Sequence, residues 1–232
     1  MNGDRNNPDG GRNNHFGTRR PASVTYLFLF APTVFLLGVL FSLCGCSGSK
    51  PSNFYLLHPQ TQVPPVSTKA DRLDVAIGIG PISIPGYLDR SHIITRAGRY
   101  EVKVSEYDRW ADSLDESVPR VIAENLSSLL STDRVYTYPW HVSSPDYQVR
   151  MEIIQFDAKI PGNVEFVTRW TLVAGGTETR IDHQRYHNKK PIAGQGYSGM
   201  VSTMNLVLYD MSREIAEAVI QDALRESAAK SD

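Results

Sequence analysis

The chain has 232 residues, with 24 lysines and arginines against 25 aspartates and glutamates, for a formal net charge of −1. That balance supplies no basic surface of the kind nucleic-acid binding needs, so no nucleic-acid partner is expected. Cys44 and Cys46 are the only two cysteines, too few and too close to the N-terminus to support a disulfide framework or a thiolate metal centre.

Residues 1–22 are polar and low in complexity, and Arg12, Arg19 and Arg20 form a positive flank to an apolar run over residues 24–43. The run stops at Leu43-Cys44-Gly45-Cys46, the arrangement of a lipobox. Leu43 stands at −3, Gly45 at −1, and Cys46 becomes the acylated first residue of the mature chain. The same run is long enough to span a bilayer, which takes about 20 residues, so an uncleaved anchor kinked at Pro32 is the alternative. A helix that only spans has no use for Gly-Cys at its outer end. Cleavage after Gly45 removes Arg5, Arg12, Arg19 and Arg20 but only Asp4 and Asp9, leaving a slightly acidic chain large enough for one domain. Cys44 leaves with the signal and Cys46 is consumed by lipid, so no thiol remains for catalysis. Ser47, where aspartate would favour retention at the inner membrane, points to the periplasmic face of the outer membrane.

The mature chain opens with a short strand, Asn53-Phe54-Tyr55-Leu56-Leu57, and residues 58–68, with Pro59, Pro64 and Pro65, read as an extended linker. Over residues 73–84, Leu73, Val75, Ile77 and Ile79 share one face while Ala76 and Gly78 occupy the other. Small residues opposite an apolar face predict a strand buried on both sides, ended by Pro81 and Pro85. Residues 85–90 form a turn. Residues 92–96 and 100–107 predict a hairpin about Ala97-Gly98-Arg99, with Gly98 supplying a positive φ.

A helix begins near Asp115 or Ser117, with Pro119 in its first turn, where a missing N–H matters least. Val118, Val121, Ile122, Leu126, Leu129 and Leu130 form its apolar face, and Ser131-Thr132-Asp133 closes it. Strands follow over 135–138, 147–159, 164–174 and 178–187, with turns at Pro161-Gly162 and Gly175-Gly176. A second helix over 198–226 presents Met204, Leu208, Met211, Ile215 and Val219 to the sheet. The expected fold class is α/β, a single domain of mixed β-sheet with two helices packed on it. Residues 1–45 are the signal peptide, 46–70 the lipidated tether, first strand and linker, and 71–228 the folded domain.

Several patterns invite chemistry and do not sustain it. Gly194-Gln195-Gly196-Tyr197-Ser198-Gly199 matches G-x-G-x-x-G, but a dinucleotide site needs a further strand carrying an acid about 20 residues on, and here the helix runs to the end of the chain. His183 and His187 sit four apart on a strand, about 13 Å from each other, too far for one metal ion. There is no G-x-S-x-G elbow, and Asp115-Glu116 reads as charge at a helix N-terminus. No catalytic residue, metal site or cofactor is expected. Trp110, Trp140 and Trp170 stand at element boundaries, as core wedges or as exposed contacts. Trp110 and the Tyr87, Leu88 and Arg90 turn are the candidate partner-binding residues.

With those residues in place, the chain resembles the ABC-type transport auxiliary lipoproteins, a family of membrane-integrity-associated transporter subunits. The likeness runs through Cys46 and residues 53–57, then Ile77-Gly78-Ile79-Gly80-Pro81 through Pro85-Gly86-Tyr87-Leu88-Asp89-Arg90. It continues through Arg109-Trp110-Ala111-Asp112-Ser113-Leu114, Ile122-Ala123-Glu124-Asn125-Leu126, Tyr138-Pro139-Trp140, Gln155-Phe156-Asp157, Arg169-Trp170 and Ser212-Arg213-Glu214-Ile215-Ala216. The long leader departs from the pattern and touches only export. The resemblance implies a non-catalytic docking subunit at the outer membrane, lipidated at Cys46. It also implies a periplasm-spanning MCE-domain partner that moves lipids between membranes, and self-association as a homo-oligomeric ring. Two other readings stand beside it: a solitary lipid- or ligand-binding envelope lipoprotein without a transport partner, and an envelope-stabilising lipoprotein.

Overall fold

The computed structural model describes residues 50–60, 74–140, 144–174 and 180–229, with the backbone alone for residues 180–183. The lipobox, Ser47, Leu73, most of the proline-rich linker and the Gly175-Gly176 turn lie outside the described residues.

In chain order the elements are β1 (Asn53–Tyr55), β2 (Ile77–Ser83), β3 (His92–Arg96), β4 (Val102–Trp110), α1 (Leu114–Leu130), β5 (Val135–Thr137), β6 (Tyr147–Ala158), β7 (Asn163–Ala174), β8 (Arg180–Pro191) and α2 (Gly196–Ala229). The domain is α/β with mixed sheets and two helices, and the strands divide between two sheets. A five-stranded sheet runs β5-β2-β6-β7-β8, and a three-stranded one runs β1-β4-β3. The division has a simple cause. Both edges of β2 are taken by parallel neighbours, β5 and β6, so the β3–β4 hairpin that follows it cannot join there. It pairs instead with β1, which lies parallel to β4.

β2 is buried on both faces as its composition predicts. Ile77 and Ile79 are fully enclosed. On the other side, a Cβ at Gly78 would stand 2.8 Å from Trp140 and 2.7 Å from Pro145, so only glycine lets those rings close over the strand. Pro81 does not end β2, which continues to Ser83. The register against β6 shifts between Ile79 and Ile82, so the residue without an N–H falls at an irregularity where no ladder bond is asked of it.

Three further boundaries differ from expectation. The β3–β4 loop spans residues 97–101, with the amides of Ala97 and Gly98 both donating to the Glu101 carbonyl at 3.0 and 3.1 Å. A loop of that length turns without a positive φ at Gly98, which takes none. Helix α1 starts at Leu114, capped by an extended Ser113, because Leu114 is itself a core residue. Pro119 consequently falls in the second turn rather than the first. β8 runs on to Pro191, its length set by continuous pairing with β7 back to Asn163.

α1 ends as predicted, with Ser131 left-handed at φ 52° and its amide donating to the Ser127 carbonyl. The two helices pack on each other and on the five-stranded sheet. Met204, Leu208, Met211, Ile215 and Val219 of α2 are all buried against it. Trp170, Phe156 and Phe166 are the bulkiest enclosed side chains, and the two phenylalanines, cross-strand neighbours on β6 and β7, meet edge-on at 5.0 Å.

Candidate functional site

Two polar clusters fix the N-terminal segment to the domain. Asp108 on β4 accepts from the Asn53 side-chain amide at 3.0 Å, the Tyr55 hydroxyl at 3.1 Å and the Ser105 hydroxyl at 2.8 Å. Burial works against its ionisation, but these donors, with Lys50 nearby, outweigh it and hold the carboxyl below its ordinary value. Just downstream, Leu57 is fully buried. The His58 amide donates to Asn205 Oδ1 at 3.1 Å and the Gln60 amide to Asn125 Oδ1 at 2.8 Å. Asn125 in turn donates to the Ser212 hydroxyl at 3.3 Å, so one buried asparagine on α1 joins the entering chain to α2. The first residues of the expected linker are thus bound to both helices.

A third cluster joins the two sheets. The alternation of β6 breaks where its register against β7 shifts between Ile153 and Gln155. Beyond that point Phe156 points to the core, and Asp157 turns toward β3. Its carboxylate, 2% exposed, accepts from Arg96 Nε at 3.2 Å and Nη2 at 2.5 Å, from the Tyr87 hydroxyl at 2.8 Å and from the Gln155 amide at 2.9 Å. Burial first, and the adjacent carboxylate second, push the Tyr87 hydroxyl well above its ordinary 10. The hydrogen bond to Asp157 raises Arg96 despite its burial. Beside this cluster opens a cleft of about 290 Å³, lined by Arg96, Arg99, Asp157, Lys159, Glu165 and Lys189 among others.

The structure separates the four candidate partner-binding residues. Leu88, 4% exposed, and Trp110, 7% exposed, are core side chains. Tyr87 is half-buried and spends its hydroxyl on Asp157. Arg90 alone is exposed, on a turn closed by the Leu88 amide donating to the Pro85 carbonyl at 2.8 Å. Trp170 is enclosed in the core, and Trp140 covers Gly78 with Tyr138 edge-on to it at 5.3 Å.

The glycine-rich entry to α2 is a packing device. A Cβ on Gly199 would lie 2.8 Å from the Gly194 backbone, and the preceding strand, β8, is an antiparallel edge strand. His187 Nε2 lies 3.0 Å from Glu165 Oε1, and the side chain of His183 lies outside the described residues. Among the described residues no group of three or more histidine, cysteine, aspartate or glutamate side chains is placed to hold a metal. No described helix is long and apolar enough to cross a membrane.

Sequence reading missed Asp157, Arg96, Asp108, Asn125 and Asn205. The visible signal for Asp157 was the lapse of strict alternation at Gln155-Phe156-Asp157. The asparagines sit mid-helix, where their composition reads as ordinary surface.

The arrangement defines a class: an α/β domain of two mixed sheets and two helices whose N-terminal segment is hydrogen-bonded to β4 and to both helices. The family model of the ABC-type transport auxiliary lipoprotein component matches residues 55–216, and the chain belongs to that family. It is 22% identical over 183 residues to the intermembrane transport lipoprotein PqiC of Escherichia coli K12, covering 76% of this chain and 91% of that protein, and matches the Shigella flexneri PqiC to the same extent. Among solved structures, an uncharacterised protein aligns at a TM-score of 0.60 with 17% identity, over 73% of this chain and 99% of that one. A Xanthomonas campestris protein aligns at 0.60 with 13% identity, over 74% and 99%. These two share the fold.

Proposed function

We propose that this transport auxiliary lipoprotein is the outer-membrane docking subunit of an MCE-type intermembrane lipid transport system that maintains envelope integrity. Acyl chains on Cys46 hold it at the periplasmic face, it contributes no catalysis, and an MCE-domain protein spanning the periplasm is its partner. The observation that carries the reading is the family match over residues 55–216, joined to similarity along most of the chain with a protein named as an intermembrane transport lipoprotein.

The physical requirement supports it. Lipid crossing an aqueous compartment exposes methylenes at about 0.8 kcal/mol each, so it travels enclosed, and an apolar conduit fixed at both membranes encloses it over the whole route. A folded domain on a lipid anchor provides one fixed end. The charged lining of the cleft beside Asp157 is unsuited to enclosing an acyl chain, which favours docking over solitary lipid carriage.

The test is in the native host. Replacing Cys46→Ser should abolish acyl labelling and release the protein from the outer-membrane fraction. Affinity purification of the intact lipoprotein should recover an MCE-domain protein, and deletion should sensitise cells to detergent. Outer-membrane retention of the Cys46→Ser protein, or purification free of any MCE protein from an untouched envelope, would overturn the reading.

A further inference from the structure

We propose that the tip of the β3–β4 hairpin, with the basic cleft at its root, rests on the anionic headgroups of the bilayer that holds the Cys46 acyl chains; this builds on the lipid attachment proposed above. At the tip Tyr100 is 91% exposed, and behind it on β4 Val102 and Val104 are 41% and 46% exposed. Such a strip is costly to leave in water and marks a contact surface. The Arg99 guanidinium sits 5.5 Å from the centroid of the Tyr100 ring. That pair has an apolar body and a cationic cap, the combination that suits the headgroup level of a membrane.

Charge is gathered at the same end. Arg96, Arg99, Lys159 and Lys189 line the cleft with Asp157 and Glu165. Asp157 is engaged by Arg96, and Glu165 by His187 at 3.0 Å and Lys189 at 3.9 Å. Lys103 is exposed on the hairpin, opposed by Glu101 in the loop. Cations are therefore in excess here, on a chain whose net charge is −1. An anionic surface rewards each nearby lysine or arginine by about 1 kcal/mol, or roughly fivefold in binding.

The direction of the chain selects the occupant. β1 lies parallel to β4, with Asn53 beside Asp108 and Tyr55 beside Trp110. Upstream of Asn53 the backbone therefore heads along β4 toward the hairpin tip, and the Lys50 ammonium already lies 5.6 Å from the Tyr107 ring centroid. Continuing the register sets Lys50 level with Ser105, about 10 Å from the start of β4. Cys46 precedes Lys50 by four residues, a reach of at most about 14 Å. The described chain thus runs back toward the hairpin-tip end before Lys50, and Cys46 can lie no farther than that reach from it. The opposite end, where β6 begins and the Ile77 amide donates to the Arg134 carbonyl, is about 36 Å away along β6.

With Cys44 removed and Cys46 acylated, an introduced cysteine is the only thiol. The full lipoprotein carrying Ala97→Cys or Asp133→Cys, labelled with an environment-sensitive fluorophore, is reconstituted in phosphatidylethanolamine/phosphatidylglycerol or in phosphatidylcholine vesicles. The label at 97 should shift to the blue and brighten in the anionic vesicles only, and the label at 133 in neither. The shift should fade at about 0.5 M salt, and Lys159→Gln should lower the ratio of tip-bound to tip-free protein about fivefold. Anchored protein with no shift at 97, an equal shift at 133, or the same response in neutral vesicles would overturn the proposal while sparing the anchor. A shift that appears only on adding a periplasmic protein would assign the tip to a protein partner instead. Protein that fails to float with vesicles, and whose Cys46 is unmodified by mass spectrometry, would remove the anchor and this inference together.

Discussion

Replacing Asp157 by asparagine tests how far the junction between the two sheets depends on one charge. The carboxylate is 2% exposed and accepts four donors, from Arg96, Tyr87 and Gln155. Asparagine has nearly the same shape, so no cavity opens; one acceptor becomes a donor among donors, and Arg96 loses its counter-charge. Hydrogen bonds to a charged group contribute about 1.5–3 kcal/mol net, against about 1 for a neutral pair. Stranding a fully buried ion costs about 3–5 kcal/mol. Arg96 keeps 31% of its side chain exposed and recovers part of its hydration, so the expected loss is about 2–3 kcal/mol. In a domain of roughly 180 residues that lowers Tm by about 5–10 °C. Urea unfolding followed by tryptophan emission reads it as a lower midpoint at unchanged m-value. The double variant Asp157→Asn/Arg96→Met should lose less than the sum of its singles by at least about 1 kcal/mol. A single-variant loss below about 0.5 kcal/mol, or strict additivity, would show that packing alone holds the two sheets together.

Gly78→Val should cost about 1–3 kcal/mol and redden tryptophan emission, because its Cβ displaces Trp140 from 2.8 Å; unaltered emission and midpoint would contradict the close approach. Asn125→Ala should destabilise by about 1–3 kcal/mol and speed amide exchange at Gln60, whose N–H it accepts, so exchange at Gln60 as slow as in the parent would refute the tie. Stability should hold steady up to about pH 10 and fall from there to about pH 12. Burial, opposed by the Asn188 hydrogen bond, pushes the Tyr186 hydroxyl up to about 12. Burial also raises Tyr87 and Tyr147, each beside an aspartate. In that window the folded chain keeps protons that the unfolded chain releases near 10, so the native state loses ground as pH rises. Thermal melts across this range should show a shallower fall for Tyr186→Phe, and an unchanged slope would contradict the assignment.

Periodicity carried most of the fold because it is a local signal. The heptad-like stripe of α2 and the alternating first half of β6 each point one face at the core, and burial of Met204 through Val219 and of Tyr147 through Ile153 follows. What stayed hidden was non-local. No window of sequence announces that β1 will seek β4, 55 residues away, because that pairing depends on β2 having both edges filled. Leu88 shows the same limit at the candidate site. A turn between two prolines and a basic residue reads as surface, yet Leu88 joins the core while Arg90 stays out. Proline is a weaker stop than its missing N–H suggests, since a register shift lets β2 carry Pro81.

The rigidity of the entering segment bears directly on how such a domain meets a membrane. A long, loose tether would let the body tumble beneath the bilayer, and no face would be presented more often than another. Here Asn53, Tyr55, His58 and Gln60 are each hydrogen-bonded to β4, α1 or α2 within a few residues of one another, and Leu57 is enclosed between them. The ordering entropy of that segment, about 1–2 kcal/mol per residue, is met once, on folding, and need not be met again on docking. If Cys46 carries lipid, four residues separate it from Lys50, which is already held beside Tyr107, a reach of about 14 Å at full stretch. That is shorter than β6, so the domain cannot invert without pulling its anchor. Inserting a flexible Gly-Ser segment of about 20 residues after Ser49 leaves every described contact in place and removes only this restraint. Envelope integrity should then fail while acylation, stability and abundance persist. Full function with the lengthened tether would mean that orientation is set by the partner rather than by the chain.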